Sequence, residues 1–409
     1  MKKIIPFLFL CYLQVKAQNK EFILNEDIKT VLIQKKNSFQ FNSNLLILPI
    51  EEYEEYILSF DDLSLNNQSY YLKIEHFDSN WEKSPINEII YLKGFNNQPI
   101  RNYIQSNSTK VPYLHYETNL PEIKIGGNYL ITVSKDRYGR YPIFSKKIQV
   151  LDKKIQPFGK VEFSNFPNLR NTHQKLELGF QYAPNLYFNN KDDFYFKIFQ
   201  NGIFIENKSW PKPLINDYEK KVFFQFFNGE NNIEAGNEFR LIDLRSGQQK
   251  LINVAKIEQK EGINLIYTHL NNKESDGVFI QKLDYNQDFL INNYEFPNEI
   301  SMIDYIYCRF LLKSPFKENE DLYLVGGFND FSKTESNKLI YDEQLGIYYQ
   351  DILLKQGIYN YQFTGNKTKS IIEGNFSSTQ NRYDILIYLK EPGTNYDNLI
   401  GYQQINFPN

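Results

Sequence analysis

The sequence predicts an all-β protein made of tandem antiparallel β-sandwich domains. Alanine, the best helix former, occurs only four times in 409 residues, whereas Tyr and Phe number 31 and 33. Short runs of alternating apolar and polar residues recur along the chain, separated by turns rich in Asn, Asp, Gly and Pro. No run shows a convincing helical period. Strands this short and this closely spaced are typical of sandwiches.

The first domain is predicted over residues 18–155. In its clearest strand, residues 70–76, one apolar face carries His76, which we therefore interpret as a buried structural histidine rather than a ligand or base. The pair Asp61-Asp62 follows an apolar run and is interpreted as a turn. The segment 151–159 is interpreted as the linker to the next domain.

The second and third domains are predicted over residues 156–297 and 298–409. An Asn201-Gly202 pair between apolar runs indicates a hairpin in the second domain, and the polar, Asn-rich segment 284–297 reads as a linker. In the third domain, Cys308 shares the inward face of a strand with Ile306 and Phe310. We therefore expect a buried, unreactive thiol.

Residues 1–17 have the pattern of a secretory signal peptide. Two lysines precede an apolar stretch, and Val15-Lys16-Ala17 predicts cleavage after Ala17. Cys11 does not fit a lipoprotein site, because Leu10 precedes it where a small residue is expected. A chain cleaved there would keep one cysteine, Cys308, and could form no internal disulfide.

The charge balance disfavours two kinds of partner. The net charge is −3 and falls to −6 once the three lysines of the leader are removed. A mildly acidic chain without a basic block is a poor candidate for nucleic-acid binding. After the leader no apolar run reaches 18 residues, so we expect no direct membrane insertion.

A search for catalytic and metal-binding motifs gives no candidate. No two of the four histidines, at positions 76, 115, 173 and 269, lie within five residues of each other. Neither a Gly-x-Ser-x-Gly elbow nor a phosphate-binding loop occurs. The Asp61-Asp62 and Asp192-Asp193 pairs have no calcium-type ladder of carboxylates around them. The sequence therefore predicts a protein that is not an enzyme and has no cofactor or metal.

Two aromatic loops are the candidate contact residues. One is the turn after residue 76, which ends in Trp81; either a structural corner or a contact surface fits it. The other follows Gly326-Gly327 and is formed by Phe328, Asn329, Asp330 and Phe331.

These loops carry two domain-level resemblances. The first domain is similar to the fibronectin-like sandwiches of bacterial sensor ectodomains. The third resembles early-set immunoglobulin-like modules that bind starch or glycogen, although Phe331 stands where those modules tend to have tryptophan. Glycan binding is therefore an open alternative for the third domain.

Landmarks along nearly the whole chain after residue 17 resemble the plug proteins of the Bacteroidota type IX secretion system. They are Lys29-Thr30-Val31, Leu58-Ser59-Phe60-Asp61-Asp62-Leu63, Tyr70-Tyr71, residues 76–81, Tyr91-Leu92-Lys93-Gly94-Phe95 with Arg101, Gly126-Gly127-Asn128-Tyr129, Thr172-His173-Gln174, Gln200-Asn201-Gly202, Gly236-Asn237-Glu238-Phe239-Arg240, Gly327-Phe328-Asn329-Asp330, Gln356-Gly357-Ile358-Tyr359-Asn360-Tyr361, Glu373-Gly374 and Leu399-Ile400-Gly401-Tyr402.

The resemblance implies a non-enzymatic periplasmic protein. It implies that this protein sits at the inner face of the outer membrane, where it closes the periplasmic opening of the SprA-type translocon barrel. A glycan-binding or sensor-like envelope protein is the alternative function. The resemblance transfers no contact residues.

Overall fold

The computed structural model describes residues 21–36, 38, 41–206, 209–275, 277–297, 299–313, 321–365 and 372–408. The predicted leader, residues 1–17, lies outside the described residues. The prediction of an all-β fold is confirmed, since six sheets pair into three sandwiches. All described strand pairings are antiparallel except two.

The N-terminal sandwich is built from residues 22–151. Its larger sheet has the order β1-β10-β9-β5-β6 with β3 beside β10, and its smaller sheet has the order β2-β4-β8-β7. The strands are β1 (Phe22–Ile23), β2 (Ile28–Lys35), β3 (Ile47–Pro49), β4 (Tyr56–Asp62), β5 (Tyr70–Phe77), β6 (Gln98–Ile100), β7 (Tyr103–Gln105), β8 (Leu114–Asn119), β9 (Gly127–Ser134) and β10 (Pro142–Leu151). A 3-10 turn (Ile50–Glu55) and a short helix, α1 (Glu88–Tyr91), flank them. Phe60 of β4 and Ile74 of β5 meet in a core shared by both sheets.

The second sandwich, called the split sandwich, takes strands from two distant parts of the chain. One sheet has the order β11-β12-β16-β15 with β17 beside β12, and the other has the order β14-β13-β27-β28. The strands are β11 (Ile155–Phe163), β12 (His173–Tyr182), β13 (Phe194–Gln200), β14 (Ile203–Ile205), β15 (Leu214–Asn216), β16 (Lys221–Phe223), β17 (Asn232–Glu234), β27 (Asn381–Leu389) and β28 (Asn398–Phe407); a 3-10 turn covers Lys191–Asp193.

The third sandwich, called the inserted sandwich, lies between those two parts. Its sheets have the orders β18-β26-β21, with β23 beside β26, and β19-β20-β22-β25-β24. The strands are β18 (Arg240–Asp243), β19 (Val254–Lys260), β20 (Ile263–Thr268), β21 (Leu290–Ile291), β22 (Tyr305–Lys313), β23 (Tyr323–Gly326), β24 (Ile340–Asp342), β25 (Ile347–Lys355) and β26 (Gly357–Thr364), with 3-10 turns at Ile300–Met302, Gly327–Asn329 and Glu335–Asn337.

The predicted division at residues 297 and 298 does not follow these sheets. β27 pairs with β13 along its whole length, so the end of the chain completes the split sandwich rather than the third domain. The physical reason lies in β27, all nine of whose residues are buried. One face fills the core of the split sandwich, and the other packs on the N-terminal sandwich through Leu386 and Tyr388.

The first predicted linker is largely strand, and the second contains one short strand. Within 151–159 only residues 152–154 lie outside strands, since β10 ends at Leu151 and β11 begins at Ile155. The segment 284–297 contributes β21 to the inserted sandwich. Asp61 and Asp62, interpreted as a turn, end β4 and are fully buried.

Candidate functional site

The turn that ends in Trp81 lies at the joint between the N-terminal and split sandwiches. The backbone N–H of Ser79 donates to Oδ2 of Asp397 at 2.9 Å, and Nζ of Lys197 donates to Oδ1 of Asn80 at 2.7 Å. Trp81 itself is half-buried, with Nζ of Lys147 4.4 Å from its ring centroid. The contacts of this turn are therefore those of a structural corner between two domains.

The centre of this first joint is neutral. The hydroxyl of Tyr388 donates to Oδ1 of Asn128 at 2.7 Å, and Nδ2 of Asn128 donates to the carbonyl of Asp78 at 2.7 Å. Beside them, buried apolar side chains from both domains form one cluster: Leu151, Leu386, Tyr388 and Leu399. Stability here comes from apolar burial and satisfied neutral hydrogen bonds.

His76 lies at the edge of the first joint and is buried, as predicted. Its Nδ1 is 2.8 Å from Oγ of Ser84, and its ring packs edge-on against Tyr129 and Tyr396 of the two domains. Burial disfavours the charged imidazolium and lowers the pKa of His76 to about 4. The ring is therefore neutral at neutral pH.

The second predicted loop is locked from within. Asn329 accepts from the backbone N–H of Gly326 at 2.9 Å and donates to the carbonyl of Leu324 at 3.1 Å. Phe328 packs on Phe310, and Phe331 packs edge-on against Phe239.

The same loop also contacts another domain, through an ion pair of 2.8 Å between Asp330 and Lys146 of the N-terminal sandwich. Because Phe328 and Phe331 are half-buried against different neighbours, they form no exposed flat platform of the kind that stacks on sugar rings. The geometry of this loop does not favour glycan binding.

The joint between the N-terminal and inserted sandwiches is charged and buried. Asp61 lies at its centre and is fully buried. Its Oδ2 accepts from Nζ of Lys355 and from the hydroxyl of Tyr305, both at 2.6 Å. Its Oδ1 is 2.6 Å from Nδ1 of His115. A buried carboxylate with three close partners is the arrangement in which a buried charge is tolerated.

Aromatic rings and backbone groups complete this second joint. Nζ of Lys355 lies 4.1 Å from the centroid of the Tyr113 ring, a cation–π contact. The hydroxyl of Tyr113 donates to the carbonyl of Ile303 at 2.9 Å. The carboxylate of Asp304 accepts from the backbone N–H groups of Lys110 and Val111. The two domains are therefore joined by side chains and main chain alike.

The titration behaviour of the cluster follows from these contacts. Burial acts to raise the pKa of Asp61, but the charge of Lys355 and the hydrogen bond from His115 outweigh it, so the pKa is lowered. Burial also opposes the charged form of His115, yet hydrogen bonds to Asp61 and Glu117 raise its pKa overall. Burial lowers the pKa of Lys355, which Asp61 only partly restores.

The split and inserted sandwiches are joined where the chain crosses between them twice. Arg382 of β27 pairs at 2.7 Å with Asp288, which lies just before β21 of the inserted sandwich. Nearby, burial beside Asp284 raises the pKa of Glu238 to about 8. Each sandwich thus contacts both of the others through buried groups.

The part of the chain that the structure describes holds no group of three or more His, Cys, Asp or Glu side chains placed to bind a metal ion. Within the described ranges, no helix has the length and apolar character needed to cross a bilayer. Cys308 is buried in the core of the inserted sandwich, and burial raises its pKa well above the ordinary value.

Sequence reasoning missed the charged joint altogether. The sequence predicts a turn at Asp61 and suggests no role for Lys355 or Tyr305, because these two residues lie 294 and 244 positions from Asp61 in the chain. The one available signal was the strand pattern around Asp61, in which a charged residue ends an apolar run without a following Gly or Pro.

The fold and the joints define a class: a three-sandwich β protein whose domains are tied together by buried contacts. Residues 28–152, essentially the N-terminal sandwich, match the family model "Type 9 secretion system plug protein 1st domain". This segment is therefore similar to the first domain of type 9 secretion system plug proteins. The predicted resemblance to the plug family is confirmed by this match.

One solved structure is similar along nearly the whole chain. It is a hypothetical protein from Parabacteroides merdae, 22% identical, covering 94% of this chain and 98% of that one with a TM-score of 0.84. At this identity the likeness concerns the fold. A three-domain titin segment aligns at 8% identity with a TM-score of 0.08, which is no structural likeness. No curated protein matches the chain.

Proposed function

We propose that this protein is a non-enzymatic plug that closes the periplasmic opening of the SprA-type outer-membrane translocon barrel of the type IX secretion system. The observation that carries the proposal is the match of residues 28–152 to the plug-protein first domain. That match supports a role in type 9 secretion. We propose, in addition, that the barrel is the partner and that this protein closes its opening.

The architecture suits a stopper. A wide opening is blocked only by a body that keeps its shape, and a disordered segment would have to lose conformational entropy each time it docked. Here every pair of sandwiches shares a largely buried joint, through Asp61, Tyr388 and Arg382 respectively. The three sandwiches can therefore act as one preorganised block.

We further propose that the protein works in the periplasm at the inner face of the outer membrane and needs no cofactor. The acidic balance of the chain gives no attraction to anionic lipid, so protein contact must hold it in place. The burial of three side chains of kinds that often take part in catalysis or metal binding supports a structural role for them. Cys308 lies in a core, and His76 and His115 lie in joints. A displaceable plug needs only an interface of non-obligate size.

The test uses deletion strains. Removing the gene for this protein should raise the uptake of a large hydrophilic antibiotic or dye across the outer membrane. Deleting the barrel as well should return uptake to the wild-type level, because the open pore is then gone. A tagged copy purified from detergent-solubilised envelopes should bring the barrel with it.

Two results would overturn the proposal. Equal leakiness in the single and double deletions would show that the leak does not pass through the barrel. Absence of the barrel from the purified material, with the tagged protein folded and present in the envelope, would remove the partner.

A further inference from the structure

Glu238 is a fully buried glutamate at the point where the chain passes from the split sandwich to the inserted sandwich. It lies between β17, which ends at Glu234, and β18, which begins at Arg240. Glutamate is almost never fully buried without a partner. Its Oε1 accepts from the backbone N–H of Gln380 at 3.0 Å. Because Gln380 directly precedes β27, this bond links the outgoing connection to the start of the returning strand.

The side chain of Glu238 also lies against a second carboxyl group. It shares a side-chain hydrogen bond with Asp284, which precedes β21 of the inserted sandwich. Among the described residues, no N–H or O–H group donates to Oε2 of Glu238, although this atom is buried. A buried carboxylate oxygen without a donor is costly, whereas a carboxyl O–H in the same place can donate to the neighbouring carboxylate.

The backbone donors show which of the two carboxyl groups carries the proton. Oδ2 of Asp284 accepts from the N–H of Phe239 at 2.6 Å, and Oδ1 accepts from the N–H of Asn286 at 3.1 Å. Oε1 of Glu238 likewise faces the N–H of Gln380. Three of the four oxygens therefore already accept hydrogen bonds, and Oε2 of Glu238 is the one left for a proton. The arrangement fits an un-ionised Glu238 that donates to an ionised Asp284.

Other charged side chains around this crossing are already paired. The pairs are Lys282 with Glu274, Arg240 with Glu274 and Glu373, and Arg382 with Asp288 and Asp384. The charge of Lys282 favours an ionised Glu238, but burial and the carboxyl group of Asp284 outweigh it and raise the pKa of Glu238 to about 8. Burial raises the pKa of Asp284 as well, against the backbone hydrogen bonds that this side chain accepts.

The segment 284–288 is fastened to the crossing at both ends. Asp284 holds one end to Glu238, and Asp288 holds the other end to Arg382 of β27 at 2.7 Å. Ionisation of Glu238 would place two negative charges against each other in a poorly solvated contact. Because Asp284 is only half-buried, this repulsion is relieved most readily by movement of the segment toward solvent.

We propose that Glu238 holds a proton on Oε2 at neutral pH and donates it to Asp284, and that release of this proton to alkaline solvent loosens the joint between the split and inserted sandwiches. The carboxyl pair is thus a proton-dependent lock on this joint. The inference concerns how the domains are held together and does not depend on the proposed plug function.

Glu238→Gln tests the proton. The amide is a permanent copy of the un-ionised carboxyl group, since its oxygen can accept from Gln380 and its NH2 group can donate to Asp284. Glu219→Gln, at an exposed site of the split sandwich, is the matched control. In deuterium oxide at neutral pH, the infrared band of a protonated carboxyl group should be present in the wild type and in Glu219→Gln and reduced in Glu238→Gln. In the wild type alone, that band should fade as the pH is raised through about 8.

Urea unfolding gives a second measure of the same proton. Because the folded pKa of Glu238 is raised, its contribution to stability is fully present below pH 4.5 and is lost as the pH rises through about 8. The unfolding constant of the wild type, divided by that of Glu238→Gln, should rise by up to about tenfold per pH unit between pH 5 and 8 and then level off. His76 acts in both proteins and cancels in this ratio. The same ratio for Glu219→Gln should not change with pH.

Hydrogen exchange tests the lock. At pH 9 the backbone N–H groups of the segment 284–288 should exchange faster in the wild type than in Glu238→Gln, because only the wild type then carries two adjacent negative charges. At pH 6 the two proteins should exchange at similar rates in this segment.

Three results would overturn the inference. A pH-independent unfolding ratio, with the infrared band unchanged in Glu238→Gln, would show that Glu238 is ionised at neutral pH. Equal exchange of the segment 284–288 in the two proteins at pH 9 would show that the proton does not control the joint. Stabilisation of the wild type, but not of Glu238→Gln, by added calcium would show that the carboxyl pair holds a cation in place of the proton.

Discussion

The N-terminal sandwich meets its two neighbours through joints of opposite chemistry. Toward the split sandwich the centre of the contact is neutral, with a tyrosine–asparagine hydrogen bond beside an apolar cluster, and the charged Asp397 and Lys197 bond only to the turn at residues 79 and 80. Toward the inserted sandwich it is ionic, with Asp61 and Lys355 both almost completely buried. The neutral joint gains from each apolar group it buries, whereas the ionic joint is stable only while every charged group keeps its partner.

A histidine in each joint shows the same contrast. Both rings are buried, yet the pKa of His76 is lowered and that of His115 is raised. The difference is the neighbour: His76 faces a hydroxyl and aromatic rings, while His115 faces two carboxylates. Burial alone therefore does not decide the charge of a histidine, and acidification should affect the two joints in opposite directions.

The largest effect is expected from Lys355→Met. The change leaves the buried carboxylate of Asp61 without its cation and should lower the free energy of unfolding by roughly 3 to 5 kcal/mol. Urea denaturation measures the loss. The double variant Asp61→Asn/Lys355→Met should be less destabilised than the single one, because no uncompensated charge remains. A single variant within about 1 kcal/mol of the wild type would show that the cluster is not a tight joint.

The second-largest effect is expected from acid, which should lower the stability of the neutral joint. Below pH 6.5 the unfolded chain protonates His76 while the folded protein does not, so stability falls as the pH drops from 6.5 toward about 4. The full loss is about 3 kcal/mol, from 1.36 kcal/mol per pH unit. The difference in stability between the wild type and His76→Gln, measured at pH 7, 6 and 5, should show this slope.

In the ionic joint, His115 gives the stability a pH dependence of the opposite sign. Because its pKa is raised, its contribution is fully present below pH 6.5 and is lost as the pH rises through its folded value. His115→Gln should therefore remove stability at pH 6 that is already partly lost in the wild type at high pH. The loss of stability caused by this change should be larger at pH 6 than at a pH above the folded pKa of His115, and an equal loss at both pH values would contradict the assignment.

A matched pair of Tyr→Phe changes compares the joints at the scale of one hydrogen bond. Tyr305→Phe removes a donor from a buried carboxylate and should cost about 1.5 to 3 kcal/mol. Tyr388→Phe removes a donor from the neutral amide of Asn128 and should cost about 1 kcal/mol. Equal losses in urea denaturation would mean that the charge of Asp61 contributes nothing to its hydrogen bond.

The smallest effect is expected from Cys308→Ala, which touches neither joint. It should lower the free energy of unfolding by about 1 kcal/mol through lost packing and leave partner binding unchanged. Since the thiol is fully buried with a raised pKa, a thiol reagent should label the native protein only slowly. Rapid labelling would show that this core opens readily.

The sequence predicts the position of a strand well where only one face of the strand is buried. β5 alternates almost perfectly, and His76 fell on the face where the structure has it. The order of strands in space could not be predicted, because β27 is buried on both faces and its apolar run at residues 385–389 does not say which sheet it joins. Its pairing with β13, nearly 190 residues earlier, depends on a long-range contact that no local signal encodes.

By itself the sequence determined the fold class, the turns that separate the strands and the resemblance to the plug family, since all three depend on residue types and their local spacing. Only the tertiary structure decided that one sandwich is inserted into another, that Asp61 lies in a buried charge cluster, and that the loop at Trp81 lies in a joint. The physical reason is that burial and electrostatics depend on which surfaces meet. Those surfaces are brought together by residues hundreds of positions apart, as Asp61 and Lys355 are.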